Sequence, residues 1–276
     1  MTLEVTDVTK KFKIRKGLKS SDLVAVNNAS FSIEPGQTVA LVGESGSGKS
    51  TIAKMILRLE RPTSGSITLD GVRSTARGEE AKKYRNLVQM VFQDPFASLN
   101  PYHTIAHHLE RPLLIHHKTR GREETRAKVE ELLARVNLSP DMADRRPHEL
   151  SGGQRQRVAI ARALAPGARY LIADEPVSML DVSIRLSVLN LLARLQREEN
   201  LGVLYITHDL ATARHFSDEI MVMLKGNIVE RGPSDEVILN PQHDYTRTLL
   251  DAAPDPSHHG RMKRQVHDEY LATTGS

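Results

Sequence analysis

The chain contains no cysteine and no tryptophan, and aromatic residues make up only 4% of it. Without cysteine there is no disulfide framework, no zinc ribbon and no thiolate-held iron–sulfur cluster. That composition also fits a reducing compartment. So few aromatics leave no stacking platform for single-stranded nucleic acid, and no nucleic-acid partner is expected. Long apolar runs are missing too. No stretch reaches the roughly 18 residues that a membrane-spanning helix needs, and the N-terminus has no signal-type apolar region. The expectation is a chain that does not itself cross a membrane. Nor does one sign of charge dominate: 38 Lys+Arg stand against 34 Asp+Glu, a net charge of +4. The densest basic patch is Lys10, Lys11, Lys13, Arg15, Lys16 and Lys19. It reads as a solvated loop, with proximity to anionic lipid headgroups or nucleic acid as the alternative.

What is present is organised around phosphate. The run Gly43-Glu44-Ser45-Gly46-Ser47-Gly48-Lys49-Ser50, followed by Thr51, fits G-x-x-x-x-G-K-[ST] at each fixed position. An apolar run, residues 38–42, precedes it as a buried strand. A helical stretch, residues 52–57, follows it. In that context the backbone N–H groups from Ser45 to Ser50 cradle a β-phosphate. Lys49 reaches the β- and γ-phosphates, and the Ser50 hydroxyl ligates Mg²⁺.

A second phosphate-facing helix start lies in Leu150-Ser151-Gly152-Gly153-Gln154-Arg155-Gln156-Arg157. Ser151 can cap a helix there, and Gln154, three residues on, completes a capping box. Gly152 and Gly153 let a ligand approach the backbone, and the positive end of the helix dipole faces it. Two such sites in one chain need an explanation.

Carboxylates follow. Asp174-Glu175 ends an apolar strand at residues 170–173, at the edge that faces the phosphate loop in open α/β sheets. Asp174 is suited to the Mg²⁺ shell. Glu175 is suited to polarise a water as general base. His208 ends the strand-like run 203–207 and could bond the γ-phosphate or orient that water. Gln93, after another apolar run, could reach Mg²⁺ or water.

At 276 residues the chain can hold one large α/β domain with a subdomain. Residues 2–12, 24–33 and 66–69 read as strands of an antiparallel sheet, with 13–23 as a surface loop between the first two. Residues 103–117 and 122–138 read as helices, and the block from about 95 to 160 as an inserted helical subdomain. Strands at 170–173, 203–206 and 220–224, with a helix at 181–199, argue for a parallel sheet. The end, residues 251–276, reads as a polar, loosely ordered tail.

The phosphate loop, Gln93, the Leu150–Gln154 run, Asp174-Glu175, Leu180-Asp181 and His208 stand in the order found in ATP-binding-cassette ATPases, which this chain resembles over about residues 1–250. The Leu-Ser-Gly-Gly-Gln run is specific to that family. The resemblance implies a P-loop NTPase core with a parallel sheet, an antiparallel β subdomain and an inserted α-helical subdomain. It implies ATP and Mg²⁺ as cofactors. It also implies head-to-tail dimers, in which Ser151, Gly152, Gly153 and Gln154 meet the ATP held by a second ATPase subunit. Asp181 then lies in the segment that crosses the interface, and Phe12 is the candidate that stacks on adenine.

The run from Phe92 to Pro101 is similar to the oligopeptide/dipeptide importer branch. So are residues 173–183 and the ending Asn240-Pro241-Gln242-His243-Asp244-Tyr245-Thr246-Arg247-Thr248-Leu249-Leu250. Met179 departs from the branch's usual alanine. The cysteine-rich C-terminal segment of many members is missing. The resemblance implies two transmembrane permease subunits, an extracytoplasmic solute-binding protein, and a place on the cytoplasmic face of a bacterial or archaeal membrane. A soluble mechanical ATPase, an accessory subunit of a non-transport complex and a subunit that barely hydrolyses are the other readings.

Overall fold

The computed structural model describes residues 2–16 and 19–252. The chain opens on a long hairpin in which β1 (Leu3–Lys16) pairs antiparallel with β2 (Lys19–Ile33), down to Lys16 opposite Lys19. Of residues 13–23, expected as a surface loop, 13–16 and 19–23 therefore belong to the strands of this hairpin. Ile14, Leu23 and Val24 stay exposed there. Backbone pairing rather than burial makes this part of the ladder, so no apolar alternation marks it in the sequence.

Strand β3 (Thr38–Val42) leads through the phosphate loop into α1 (Lys49–Ile56). Strands β4 (Ser64–Leu69) and β5 (Val72–Arg73) then complete a four-stranded antiparallel sheet in the order β2-β1-β4-β5. Helix α2 (Gly78–Leu87) and strand β6 (Val88–Val91) lead to a helical block. That block comprises α3 (Pro95–Ser98), α4 (Ile105–Ile115), α5 (Arg122–Arg135) and α6 (Gly152–Leu164). Asp94 and Thr104 cap α3 and α4 through their side-chain oxygens. Pro140 and Pro147 each open a short 3₁₀ turn before α6, where proline costs no hydrogen bond.

The second half alternates: β7 (Tyr170–Asp174), α7 (Val182–Glu199), β8 (Gly202–Thr207), α8 (Leu210–Phe216) and β9 (Glu219–Leu224). The hairpin strand β10 (Asn227–Pro233) and helices α9 (Ser234–Leu239) and α10 (Asp244–Ala252) follow. The division expected at residue 250 thus falls inside α10, and residues 253–276 of the expected tail lie outside the described residues.

The six-stranded sheet runs β10-β9-β3-β8-β7-β6, parallel except for the β9–β10 pair. Its central strands are unbroken apolar runs because both faces are covered. Ala40, Val42, Leu171, Ala173, Val203 and Tyr205 face a core shared with α4, α5, α6 and α7. Val39, Leu41, Tyr170, Ile172, Leu204 and Ile206 face the other core, shared with α1 and the antiparallel sheet. Register aligns the strand ends: Val42 lies opposite Thr207, Asp174 opposite Ile206, and Val91 opposite Ala173. Gly43, Gln93, Glu175 and His208 each come within two residues of these ends. They are thus delivered to one edge of the sheet.

Candidate functional site

The loop after β3 is shaped by glycines that no other residue could replace. Gly48 sits at φ 113°, and a Cβ there would stand 2.3 Å from the Ala25 carbonyl oxygen. A Cβ on Gly43 would stand 2.2 Å from the Met223 carbonyl oxygen. Helix α1 begins at Gly48 with no side-chain cap, so its first amides depend on a ligand or solvent. Lys49 is 7% exposed and folds back over the loop, donating to the carbonyls of Gly43 at 2.7 Å and Glu44 at 2.8 Å. Burial pulls its pKa down, against the carboxylates of Glu175, Asp174 and Glu44, which push it up. A buried ammonium held by two neutral carbonyls and, at 3.5 Å, the Ser47 hydroxyl is poised to exchange them for phosphate oxygens. Ser45 and Gly46 are exposed at the mouth of the loop, Ser47 is buried beneath it, and Thr51 is half-buried.

Asp174 ends β7 close enough to the Ser50 hydroxyl to feel it. Burial and the neighbouring Glu175 raise its pKa, with Ser50, Lys49 and Lys54 opposing. The side chain is therefore a carboxylate in need of positive charge. Among the described residues no group of three or more His, Asp or Glu side chains forms a metal cage of protein ligands alone. A metal shared between Ser50, Asp174 and phosphate oxygens suits the donors that are present.

Glu175 takes φ 45°, a left-handed conformation that is uncommon and strained for a residue with a side chain. Its amide donates to the Ile206 carbonyl at 2.8 Å, and its own carbonyl accepts from the Ser178 hydroxyl at 3.1 Å. These contacts hold the strained turn. The carboxylate lies between two side chains: Gln93 Nε2 donates to one oxygen at 2.9 Å, and His208 Nδ1 lies 3.1 Å from the other. The His208 side chain is 63% exposed and that of Glu175 21%. Gln93, Glu175 and His208, expected singly from three strand ends, are thus one hydrogen-bonded group.

At α6 the capping box is present in both directions. Ser151 Oγ accepts from the Gln154 amide at 3.3 Å, and Gln154 Oε1 accepts from the Ser151 amide at 2.9 Å. Ser151 is exposed, whereas Gly153 is buried. A Cβ on Gly153 would stand 2.6 Å from the Ile184 Cγ2 methyl, and one on Gly152 3.3 Å from Leu180 Cδ2. Close packing against α7 is thus a reason for Gly153 that the sequence reading, which gave both glycines to ligand approach, lacks. Arg155 stacks 4.2 Å from the centre of the Phe96 ring, tying α6 to the segment that carries Gln93. No hydrogen bond found among the described residues joins Ser151–Gln154 to the Gln93–Glu175–His208 group. Asp181 is exposed at the start of α7, its carbonyl accepting from the Ile184 and Arg185 amides.

Phe12 lies opposite Leu23 in the first hairpin, half-buried, with the Lys10 ammonium 4.8 Å from its ring centroid. The other arm of that hairpin reaches the phosphate loop at Ala25. Ser178 joins the site without a signal in the sequence. Its hydroxyl is also 3.3 Å from Gln93 Nε2. A lone serine beside a proline turn carries no distinguishing signal.

Comparison with known proteins follows the same lines. Residues 26–178 match the family described as ABC transporter, and residues 229–274 match the oligopeptide/dipeptide transporter C-terminal region. The second match takes in most of the segment read as a tail. The oligopeptide transport ATP-binding protein AppF of Bacillus subtilis is 48% identical over 95% of this chain and 81% of its own length. The glutathione import ATP-binding protein GsiA of Pectobacterium atrosepticum is 45% identical over 97% of this chain, which spans only 44% of that longer protein. Among solved structures, the dimeric post-hydrolysis state of the ATP-binding cassette MJ0796 bound to ADP and Pi superposes with a TM-score of 0.72. It is 33% identical, and the match covers 84% of this chain and 98% of that one.

Proposed function

The chain belongs to the ATP-binding-cassette family as an ATP-hydrolysing transporter subunit, and on that premise we propose how its residues divide the work. The observation that carries the proposal is the Glu175 carboxylate held between Gln93 and His208, one residue beyond Asp174 at the end of β7. Within the loop Gly43–Thr51, the amides from Ser45 to Ser50 and the Lys49 ammonium bind the phosphates of ATP. Mg²⁺, when bound, neutralises phosphate charge, and Ser50, Asp174 and Gln93 are the side chains that would hold it. Glu175 takes the proton of the attacking water, and His208 orients that water or bonds the γ-phosphate. Phe12 packs on the adenine, sharing its ring with Lys10 or displacing that side chain.

Ser151, Gly152, Gly153 and Gln154 complete the site of a second ATPase subunit, a copy of this chain or a related one, with Asp181 at the interface. An exposed helix start that lies outside the hydrogen-bonded site of its own chain supports that assignment. Residues 1–250 then act as one ATP-binding unit, within which the block from about 95 to 160 carries the helix start. ATP binds the closed dimer more tightly than the open one, and hydrolysis releases that difference as motion.

No helix among the described residues is long and apolar enough to cross a membrane. Two permease subunits carry the solute, and the chain docks on them at the cytoplasmic face of a bacterial or archaeal membrane. A groove of about 1010 Å³ beside Gln93, with Leu59, Phe92, His107 and Ile115 in its wall, supplies the surface. Leu59, Phe92 and Ile115 are exposed there, as apolar anchors of a docking site are. The names of the relatives point to peptides or a peptide-like solute as cargo, delivered by an extracytoplasmic solute-binding protein.

The test is recovery of the tagged full chain from its own cells, followed by membrane fractionation and an ATPase assay. Two permease-type membrane proteins and a second ATPase should come with it. Recovery with soluble enzymes and no membrane protein would overturn the transport reading in favour of a mechanical ATPase in a non-transport complex.

A further inference from the structure

The Asn240–Leu250 run takes no part in the scheme above, yet it touches the phosphate loop. The Tyr245 hydroxyl of α10 accepts a hydrogen bond from the Glu44 amide at 3.0 Å. That amide belongs to the same peptide unit as the Gly43 carbonyl, which accepts from Lys49 Nζ at 2.7 Å. A trans peptide is planar and points its N–H and C=O in opposite directions. One rigid plate is therefore held on one side by Tyr245 and on the other by the lysine. Gly43 lacks the side chain that would restrain the rotation of this plate.

Tyr245 is itself anchored. Its ring packs against the core that lies between the sheet and α4–α7. The Glu230 carboxylate on β10 accepts from the amides of Gln242 at 2.7 Å and His243 at 3.0 Å, and from the Thr246 hydroxyl. The Tyr245 amide donates to His243 Nδ1 at 3.1 Å. The adjoining strand β9 closes the other flank of Gly43 with its Met223 carbonyl. A hydroxyl so fixed gives the plate one orientation.

We infer that Tyr245 is a positioning residue for the nucleotide: by holding the Gly43–Glu44 peptide from α10, it fixes the loop conformation in which Lys49 meets the phosphate. This rests on the reading of that loop as the ATP site. When phosphate draws the Lys49 ammonium away, the plate loses one of its two restraints and Tyr245 remains as the other. The C-terminal run is then a strut of the active site.

The experiment compares the full chain with Tyr245→Phe, which keeps the ring and its packing and removes the hydroxyl. ATP affinity, KM, kcat and thermal melting are measured. A neutral hydrogen bond of ordinary strength corresponds to about a 2- to 12-fold effect. ATP dissociation constant and KM should rise within that range, with kcat at saturating ATP and the melting temperature little changed. Glu230→Gln, which weakens the anchor and leaves Tyr245 in place, should raise KM in the same direction by less. If Tyr245→Phe binds ATP as the wild type does, the assignment is overturned and the ring serves packing alone. A wild-type chain that binds no ATP would instead refute the nucleotide reading, so the two failures are distinct.

Discussion

The side-chain amide of Gln93 donates to the Glu175 carboxylate at 2.9 Å, although 82 residues separate the two. The same amide is 3.3 Å from the Ser178 hydroxyl, so Gln93 spans the carboxylate and the turn that carries it. One oxygen of Glu175 is thereby engaged by an amide and the other by His208. An attacking water must share or replace one of these partners. The state of the base is thus tied to the position of Gln93, on the segment against which α6 packs through Phe96 and Arg155.

Replacing Glu175 by glutamine keeps the size and much of the hydrogen bonding of the side chain but removes its capacity to take a proton. Hydrolysis should fall by about 10²–10⁴-fold, the usual weight of general-base catalysis, while ATP binding is retained. Single-turnover hydrolysis and equilibrium binding of ATP measure the two separately. Unchanged turnover would remove Glu175 from the mechanism.

Ser151→Arg places a long cation at an exposed helix start away from the phosphate loop of its own chain. The monomer should bind ATP as before, whereas closure of two subunits on ATP should be blocked. Size-exclusion chromatography of the hydrolysis-deficient Glu175→Gln protein, with and without Ser151→Arg, reads this directly. A double variant that still dimerises on ATP would show that Ser151 does not act across subunits.

Asp174 gives a prediction for pH. Burial and Glu175 raise its folded pKa above the ordinary 3.8. The folded chain therefore binds this proton more tightly than the unfolded one, and stability falls as pH rises from 3.8 through the folded value. At neutral pH the ionised side chain is a cost that a bound cation relieves. Asp174→Asn should raise the melting temperature of the nucleotide-free protein at pH 7 and flatten its acid-range dependence. The same change should weaken the response to Mg²⁺. A lower melting temperature at pH 7 would mean that the favourable surroundings of Ser50, Lys49 and Lys54 outweigh the cost of the buried charge.

Gly153→Ala tests the packing of α6 on α7. The new Cβ would stand 2.6 Å from Ile184 Cγ2, well inside contact distance, so the Ile184 side chain or one of the helices must shift. Overpacking of this kind costs about 1–3 kcal/mol, measurable by denaturant unfolding. Adding Ile184→Ala removes the opposing methyl and should recover part of the loss, a coupling that a double-mutant cycle isolates. Additive losses would show that the two residues do not meet.

The sequence by itself determined the pieces whose physics is local. Strand, glycine loop and helix around Lys49 are written in consecutive residues. The Ser151–Gln154 capping box closes within four residues and is present in the structure. The buried strands announce themselves as unbroken apolar runs because both faces of the sheet are covered. The ends of the first hairpin gave no such sign, because Ile14, Leu23 and Val24 bury little. β10 and α2, both unread in the sequence, offer mostly half-buried or exposed positions.

Only the tertiary structure decided which side chains share a site. The order β10-β9-β3-β8-β7-β6 sets the ends of β3, β6, β7 and β8 side by side, and that order depends on long-range pairing. It joins Gln93 and His208 to Glu175, and it brings Tyr245 to an amide 201 residues earlier in the chain. Periodicity and turn chemistry act over a few residues. A hydrogen bond between distant residues exists only once the packed sheet has fixed the distance between them.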